Sequence, residues 1–260
     1  LDSRDLGDVP FQRTAVSPDT PDVLVAPTPR MGVLVRPWAP LALKANAGWY
    51  LRPPDFTELF GDRGALIGNP ELAPERGVQW DVAARAEAPD DWAVQGSVEV
   101  GHFWNSVQDL IVTVQNSQRT SVPVNLDDAW VQGVELALSL DTPWVESQSN
   151  LTRNTSVNLS SQRQFANNQL PRLPTWEAHQ RTAALAGDVL RVGHVWTYTD
   201  GNYWDRTNFY RAAPRSFHSL FARVQPGPKW PSVELDVLNI TDRLVEVVPR
   251  NPLDPSDPAR

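Results

Sequence analysis

Few residues in this chain have side chains suited to covalent or metal chemistry. Cysteine is absent, which excludes disulfides, thiolate metal sites and cysteine nucleophiles. The four histidines, His102, His179, His194 and His218, are scattered without an HxxxH or HxH pair. Neither a zinc site nor a histidine-centred triad is therefore spelled out. No catalytic constellation emerges, so a non-enzyme without metal or cofactor is expected. What remains is recognition chemistry. Arginine and aromatic side chains cluster on two long, turn-rich segments: Arg52, Phe56 and Phe60 on one, Tyr203, Trp204, Tyr210 and Arg211 on the other. Aromatic faces stack on flat groups and a guanidinium holds anions. The competing role is a girdle at membrane headgroup level, and this is preferred for Trp49, Tyr50 and Trp196 at strand ends.

The composition narrows the partners. Formal charge is −8 and the basic residues form no clustered patch, which argues against nucleic acid. Tryptophan is frequent, at 11 residues, while Lys44 and Lys229 are the only lysines. Tryptophan favours positions with one apolar and one wet end, including membrane interfaces. No run approaches the ~18 consecutive apolar residues of a transmembrane helix. The opening Leu1-Asp2-Ser3-Arg4-Asp5 does not resemble a signal peptide.

Strict alternation supplies the elements that must position these side chains. Leu41, Leu43, Ala45, Ala47, Trp49 and Leu51 alternate with Ala42, Lys44, Asn46, Gly48, Tyr50 and Arg52. After a loop, Val78, Trp80, Val82, Ala84 and Ala86 alternate with Gln79, Asp81, Ala83, Arg85 and Glu87. Period-two patterns of this kind make strands with one apolar and one polar face. Further strands are expected at 31–36, 92–113, 128–140, 144–155, 176–185, 189–198, 216–224 and 233–240. A polar loop is expected over 115–125.

The links between these strands alternate between short turns and long loops. That segregation, with strands of about 10 residues, fits a membrane barrel better than a soluble sandwich. The reading is all-β: an antiparallel transmembrane β-barrel with about ten sequential strands. Lys44, Asn46, Gln79, Asp81, Arg85, Gln95, Glu99, Glu135, Glu234 and Asp236 would line its interior, paired with one another or with a plug. Residues 1–29 read as an irregular lead-in, 30–248 as strands and loops, and 249–260 as a loop.

Five motifs, in order, resemble the barrel signature of TonB-dependent outer-membrane receptors. Arg52-Pro53-Pro54-Asp55-Phe56-Thr57-Glu58-Leu59-Phe60 leads to the first, Gly68-Asn69-Pro70-Glu71-Leu72-Ala73-Pro74-Glu75. The others are Pro29-Arg30-Met31-Gly32-Val33 with Arg36-Pro37, the Asn125–Ala129–Gly133–Glu135 pattern, Leu170-Pro171-Arg172-Leu173-Pro174, and Asn239 with Asp242. Gly68, Asn69, Pro70, Leu72, Pro74, Glu75, Asn125, Ala129, Gly133, Glu135, Asn239 and Asp242 are read as structural positions.

The resemblance implies part of a 22-stranded, plugged barrel. The plug, its TonB-recognition segment and a final strand are not visible in the sequence, so a fragment of a longer receptor is expected. It further implies energy-coupled uptake of a bulky nutrient across a Gram-negative outer membrane, most commonly a ferric siderophore. Its partners would be outer-membrane lipid and lipopolysaccharide, the nutrient itself, and the TonB complex through a plug not present in this chain. Arg52, Phe56, Phe60, Tyr203, Trp204, Tyr210 and Arg211 become candidate ligand contacts. The alternatives are a docking platform in an outer-membrane assembly and a stand-alone passive barrel.

Overall fold

The computed structural model describes residues 26–243, apart from 63, 65, 116–119 and 127. The irregular segments expected over 1–29 and 249–260 thus lie wholly or mostly outside the described residues. Ten strands form one antiparallel sheet: β1 Arg30–Trp38, β2 Leu41–Arg52, β3 Glu75–Glu87, β4 Gln95–Gln108, β7 Ala129–Asp141, β8 Val145–Asn158, β9 Trp176–Ala186, β10 Leu190–Thr199, β11 Arg215–Val224 and β12 Val233–Val237. They follow one another in sequence order, and the sheet does not close among the described residues. Short turns at one end and long loops at the other connect them, as the sequence predicts. One five-residue helix, α1 Phe56–Phe60, sits in the first long loop.

Three expectations are corrected. The strand expected over 92–113 is broken at both ends: Trp92–Val94 remain in the turn, and at Asp109 the backbone turns into the left-handed region (φ 55°). The chain then leaves the wall as β5 Ile111–Gln115, which pairs with β6 Ser121–Asn125 as a separate hairpin. This replaces the polar loop expected at 115–125. Pro123 masked β6, because proline within a run argues against a central strand; in a two-stranded hairpin it sits on an edge. The strand expected to reach Ile240 stops at Val237. Asn239 takes φ 51°, and pairing resumes one residue out of step where Ile240 N–H donates to His218 O. That is a β-bulge with its first residue left-handed.

Each strand has two faces, and neither is covered by a second layer. On the outer face Val33, Leu43, Trp49, Val82, Val100, Val134, Val192 and Leu235 are all exposed. An apolar surface this wide is unfavourable in water and suits lipid. The inner face is polar and internally paired. Lys44 Nζ meets Glu99 at 2.9 Å, Arg85 bridges Glu87 (2.7 Å) and Glu99 (3.6 Å), and Asn46 donates to Asp81 at 2.8 Å. Tyr50, placed in the girdle from sequence, belongs to this inner row: it faces Gly77 and donates to Asn105 Oδ1. Its parity along β2 puts it opposite Trp49.

Three inner aromatics lie across glycines on the neighbouring strand: Tyr50 on Gly77, Phe103 on Gly133 and Phe221 on Gly193. A Cβ at Gly133 would come within 2.5 Å of the Phe103 ring, and one at Gly193 within 2.3 Å of Phe221. Gly133 therefore permits close approach of a ring, which fills the space a side chain would take.

Candidate functional site

Burial is concentrated at the long-loop end. Leu72, Val107, Ile111, Leu126, Ala129, Phe165, Leu170 and Ala212 are all buried there, whereas Ala183 and Phe221 are the buried apolar residues in the body of the sheet. The four long loops lock into one collar, each held by the next.

The first loop is anchored by Arg52. Its Nε and Nη2 reach Glu75 Oε2 and Oε1, both at 2.8 Å, while Nη1 lies 3.1 Å from Glu58. Glu75 is buried and also accepts the Ile111 N–H at 2.7 Å. One carboxylate thus ties β2, β3 and β5 together through charge-assisted bonds. Glu58 Oε2 accepts the Asp55 N–H at 2.7 Å and fixes the start of α1. Gly61, at φ 79°, ends it. Gly68 packs on the Phe60–Gly61 peptide so closely that a Cβ would lie 2.4 Å from the Phe60 carbonyl carbon. Leu72 is buried beneath the loop.

The second loop is stitched to the first by amides. Asn69 Nδ2 donates to Pro123 O at 3.0 Å. Asn125 accepts the Ala73 N–H at 2.8 Å and donates to the carbonyls of Ala73 and Asp109. Leu126, Ala129 and Leu170 then form a small core, with Leu110, Val112, Val131 and Leu173 packed around it. This core joins the second loop to the third, 159–175.

Third and fourth loops are joined by backbone and amide bonds. Arg172 N–H donates to Tyr203 O at 2.6 Å. Asn208 exchanges two bonds with the Gln169 backbone, at 2.8 and 2.9 Å, and Asn168 Nδ2 reaches Arg206 O at 2.8 Å. The Arg172 guanidinium stands 5.7 Å over the Trp204 ring, and Arg206 lies 4.2 Å over Phe165. Within the fourth loop the Asp205 carboxylate gathers the N–H groups of Thr207, Phe209 and Tyr210. These bonds fix the shape of the loop.

The candidate residues fall into two groups. Phe56 and Phe60 project from α1, their rings 4.8 Å apart and tilted by 48°, and both are strongly exposed. Arg52 lies beneath them with its guanidinium taken up by two carboxylates. Tyr203 and Arg211 form a β-bridge, Tyr210 meets Phe209 edge-on at 5.0 Å, and Arg211 is exposed. No hydrogen bond or ring contact joins the two groups directly among the described residues; the second and third loops lie between them. Arg172, Arg206 and Phe165, which the folded loops bring to the second group, were not singled out from the sequence. Their signal was the Pro171-Arg172 step, which reads as a strand lead-in until the fourth loop is folded against it.

Among the described residues no group of three metal-binding side chains converges. The collar is an assembly of rings and guanidinium groups above a polar-lined wall. A family model described as TonB dependent receptor-like, beta-barrel matches residues 7–240.

The chain belongs to the TonB-dependent receptor family.

Solved structures of the family share the fold. The copper transporter OprC matches with TM-score 0.62 and 21% identity over 82% of this chain and 33% of its own. The siderophore receptor PiuA from Acinetobacter baumannii gives 0.64 and 21%, over 82% of this chain and 31% of its own. A ferric enterobactin receptor from Pseudomonas aeruginosa gives 0.59 and 17%, over 83% and 35%. The chain thus spans about a third of the length of these structures. No curated protein sequence matches it. TonB-dependent receptor barrels belong to the Gram-negative outer membrane. The family and these neighbours are receptors and transporters rather than enzymes. In such barrels short turns face the periplasm and long loops the exterior.

Proposed function

We propose that this chain is one arc of a larger, plugged 22-stranded receptor that takes up a bulky anionic metal chelate, a ferric siderophore being the best fit. The observation that carries the reading is the preset collar. Its third and fourth loops carry Arg172, Arg206 and Arg211 among Tyr203, Trp204 and Tyr210, with Phe165 buried under Arg206, in a protein of net charge −8. A cationic, ring-rich patch on an otherwise acidic chain favours a flat, negatively charged ligand. Phe56 and Phe60 would offer a second stacking surface. Arg52 is assigned to holding the loop rather than to the ligand, because its donors are already engaged. Energy would come from the TonB complex acting through the plug, with lipid and lipopolysaccharide around the barrel.

The test is uptake of radiolabelled ferric chelates by cells carrying the full-length receptor, with and without TonB. Uptake should require TonB, and Trp204→Ala with Arg211→Ala should weaken ligand binding about tenfold, on the order of 1.4 kcal/mol, with barrel assembly unchanged. TonB-independent diffusion of small solutes through the barrel would show a passive channel instead.

A further inference from the structure

Among the described residues, the outward positions of the ten wall strands carry two arginines and no lysine, aspartate or glutamate. Arg76 stands opposite Leu51 and Gln108, and Arg153 opposite Val134 and Trp176. Arg76 has an acid beside it, its Nη2 lying 3.9 Å from Asp109 Oδ2. Arg153 has none. It is exposed and makes no hydrogen bond or ion pair among the described residues. The Trp176 ring lies 5.6 Å from its guanidinium carbon. A ring face attracts the cation but leaves its N–H donors free. On the inward face, by contrast, Lys44, Arg52, Arg85 and Arg191 each meet a carboxylate.

Trp176 is the first residue of β9, where the third loop meets the wall, so this pair stands at the loop end. On its turn side Leu151 faces Ala178. On its loop side Thr155 faces Gln132, and Gln132 in turn faces Trp104. The Thr155 hydroxyl and the Gln132 amide also have no hydrogen-bond partner among the described residues. A guanidinium, a hydroxyl and an amide with free donors thus adjoin on the outward surface, between Trp104 and Trp176. Other polar side chains on these rows are engaged. His102, on the Arg153 row, stacks on Trp80 at 5.2 Å. Tyr198, on the Leu151 row, donates to Asp200, which also accepts the Gly201 N–H.

We infer that Arg153, with Thr155 and Gln132, binds a phosphate group of lipopolysaccharide in the outer leaflet. An outward arginine is costly deep in hydrocarbon and nearly free at headgroup level. A phosphate offers several acceptor oxygens, and a guanidinium holds two of them at once. With the long loops outside, as in such barrels, the anion at this level is the lipid phosphate. The chain's net charge of −8 repels anions at long range, so holding one depends on this local set of donors. The inference rests on the outer-membrane placement of the barrel and not on the cargo.

The experiment measures binding of phosphorylated and dephosphorylated lipopolysaccharide to the full-length receptor in detergent. The unaltered receptor should bind the phosphorylated form about tenfold more tightly, and Arg153→Gln should lose that preference. Arg153→Lys should keep part of it, being a cation without the planar fork. Arg76→Gln, the other outward arginine, should keep all of it. An Arg153→Gln receptor with the full preference overturns the inference. So does inorganic phosphate that displaces lipopolysaccharide at equal phosphate concentration, which would mark a site for free phosphate. Cell fractionation separates the inference from the placement it rests on. A receptor found outside the outer-membrane fraction overturns both, whereas one inside that fraction without the preference overturns the inference alone. Chelate uptake by the same cells reads the transport assignment independently and should not change in Arg153→Gln.

Discussion

The loop collar and the strand wall below it are built on opposite principles from one continuous chain. The collar resembles a small soluble domain: it has an apolar core around Leu126, Ala129 and Leu170, a buried carboxylate at Glu75, and amides that bond across loops. The wall buries little among the described residues, Ala183 and Phe221 being its buried apolar side chains. Its apolar side chains point outward, its charges, Arg76 and Arg153 apart, point inward, and its order comes from backbone ladders and cross-strand pairs. The collar should therefore depend on particular polar atoms. The wall should depend on strand geometry and tolerate exchange of individual charges.

The sharpest way to break this contrast is at Glu75. Glu75→Ala strips Arg52 Nε and Nη2 and the Ile111 N–H of their acceptor and leaves the guanidinium on Glu58 alone; losing hydrogen bonds to a buried charged group costs about 2–3 kcal/mol. Hydrogen exchange on the full-length protein in detergent should show the 109–125 segment opening roughly 100-fold more often, with β8 to β11 unchanged. Unchanged protection in that segment would mean that the collar does not hang on this carboxylate.

An intermediate effect is expected where the wall is tightest. Gly193→Ala places a methyl 2.3 Å from the Phe221 ring, which must swing away from Arg181, now 3.6 Å above it. Overpacking of this size costs about 1–2 kcal/mol, to be read as a lower unfolding temperature with the collar's exchange pattern preserved. The smallest effect should come from the inner charges. Lys44→Met removes an ion pair whose side chains are 37% and 27% exposed; pairs this wet contribute about 0–1 kcal/mol. A loss comparable to that of Glu75→Ala would erase the distinction between the two regions.

Legibility from sequence follows the same division. The ten wall strands, their order and the parity of nearly every side chain are visible, because a period of two along the chain is itself the geometry of a strand. Where reading failed, a local signal pointed the wrong way: Pro123 hid β6, continued alternation hid the break at Asp109, and Asn239 hid a bulge. The Gly68–Glu75 motif stands out in the sequence. The engagement of Arg52 does not, since Glu75 lies 23 positions away and nothing in the sequence declares that pair.

By itself the sequence determined an antiparallel wall with two chemically distinct faces and long loops at one end. Those properties are periodic or compositional, and each residue carries its share locally. Only the tertiary structure decided that the loops form one interlocked collar, which arginines face rings and which are spent on carboxylates, and that Arg153 on the outward face stands between Val134 and Trp176. Contacts of that kind depend on the register between strands far apart in the chain, which is set by packing and pairing rather than by any one segment.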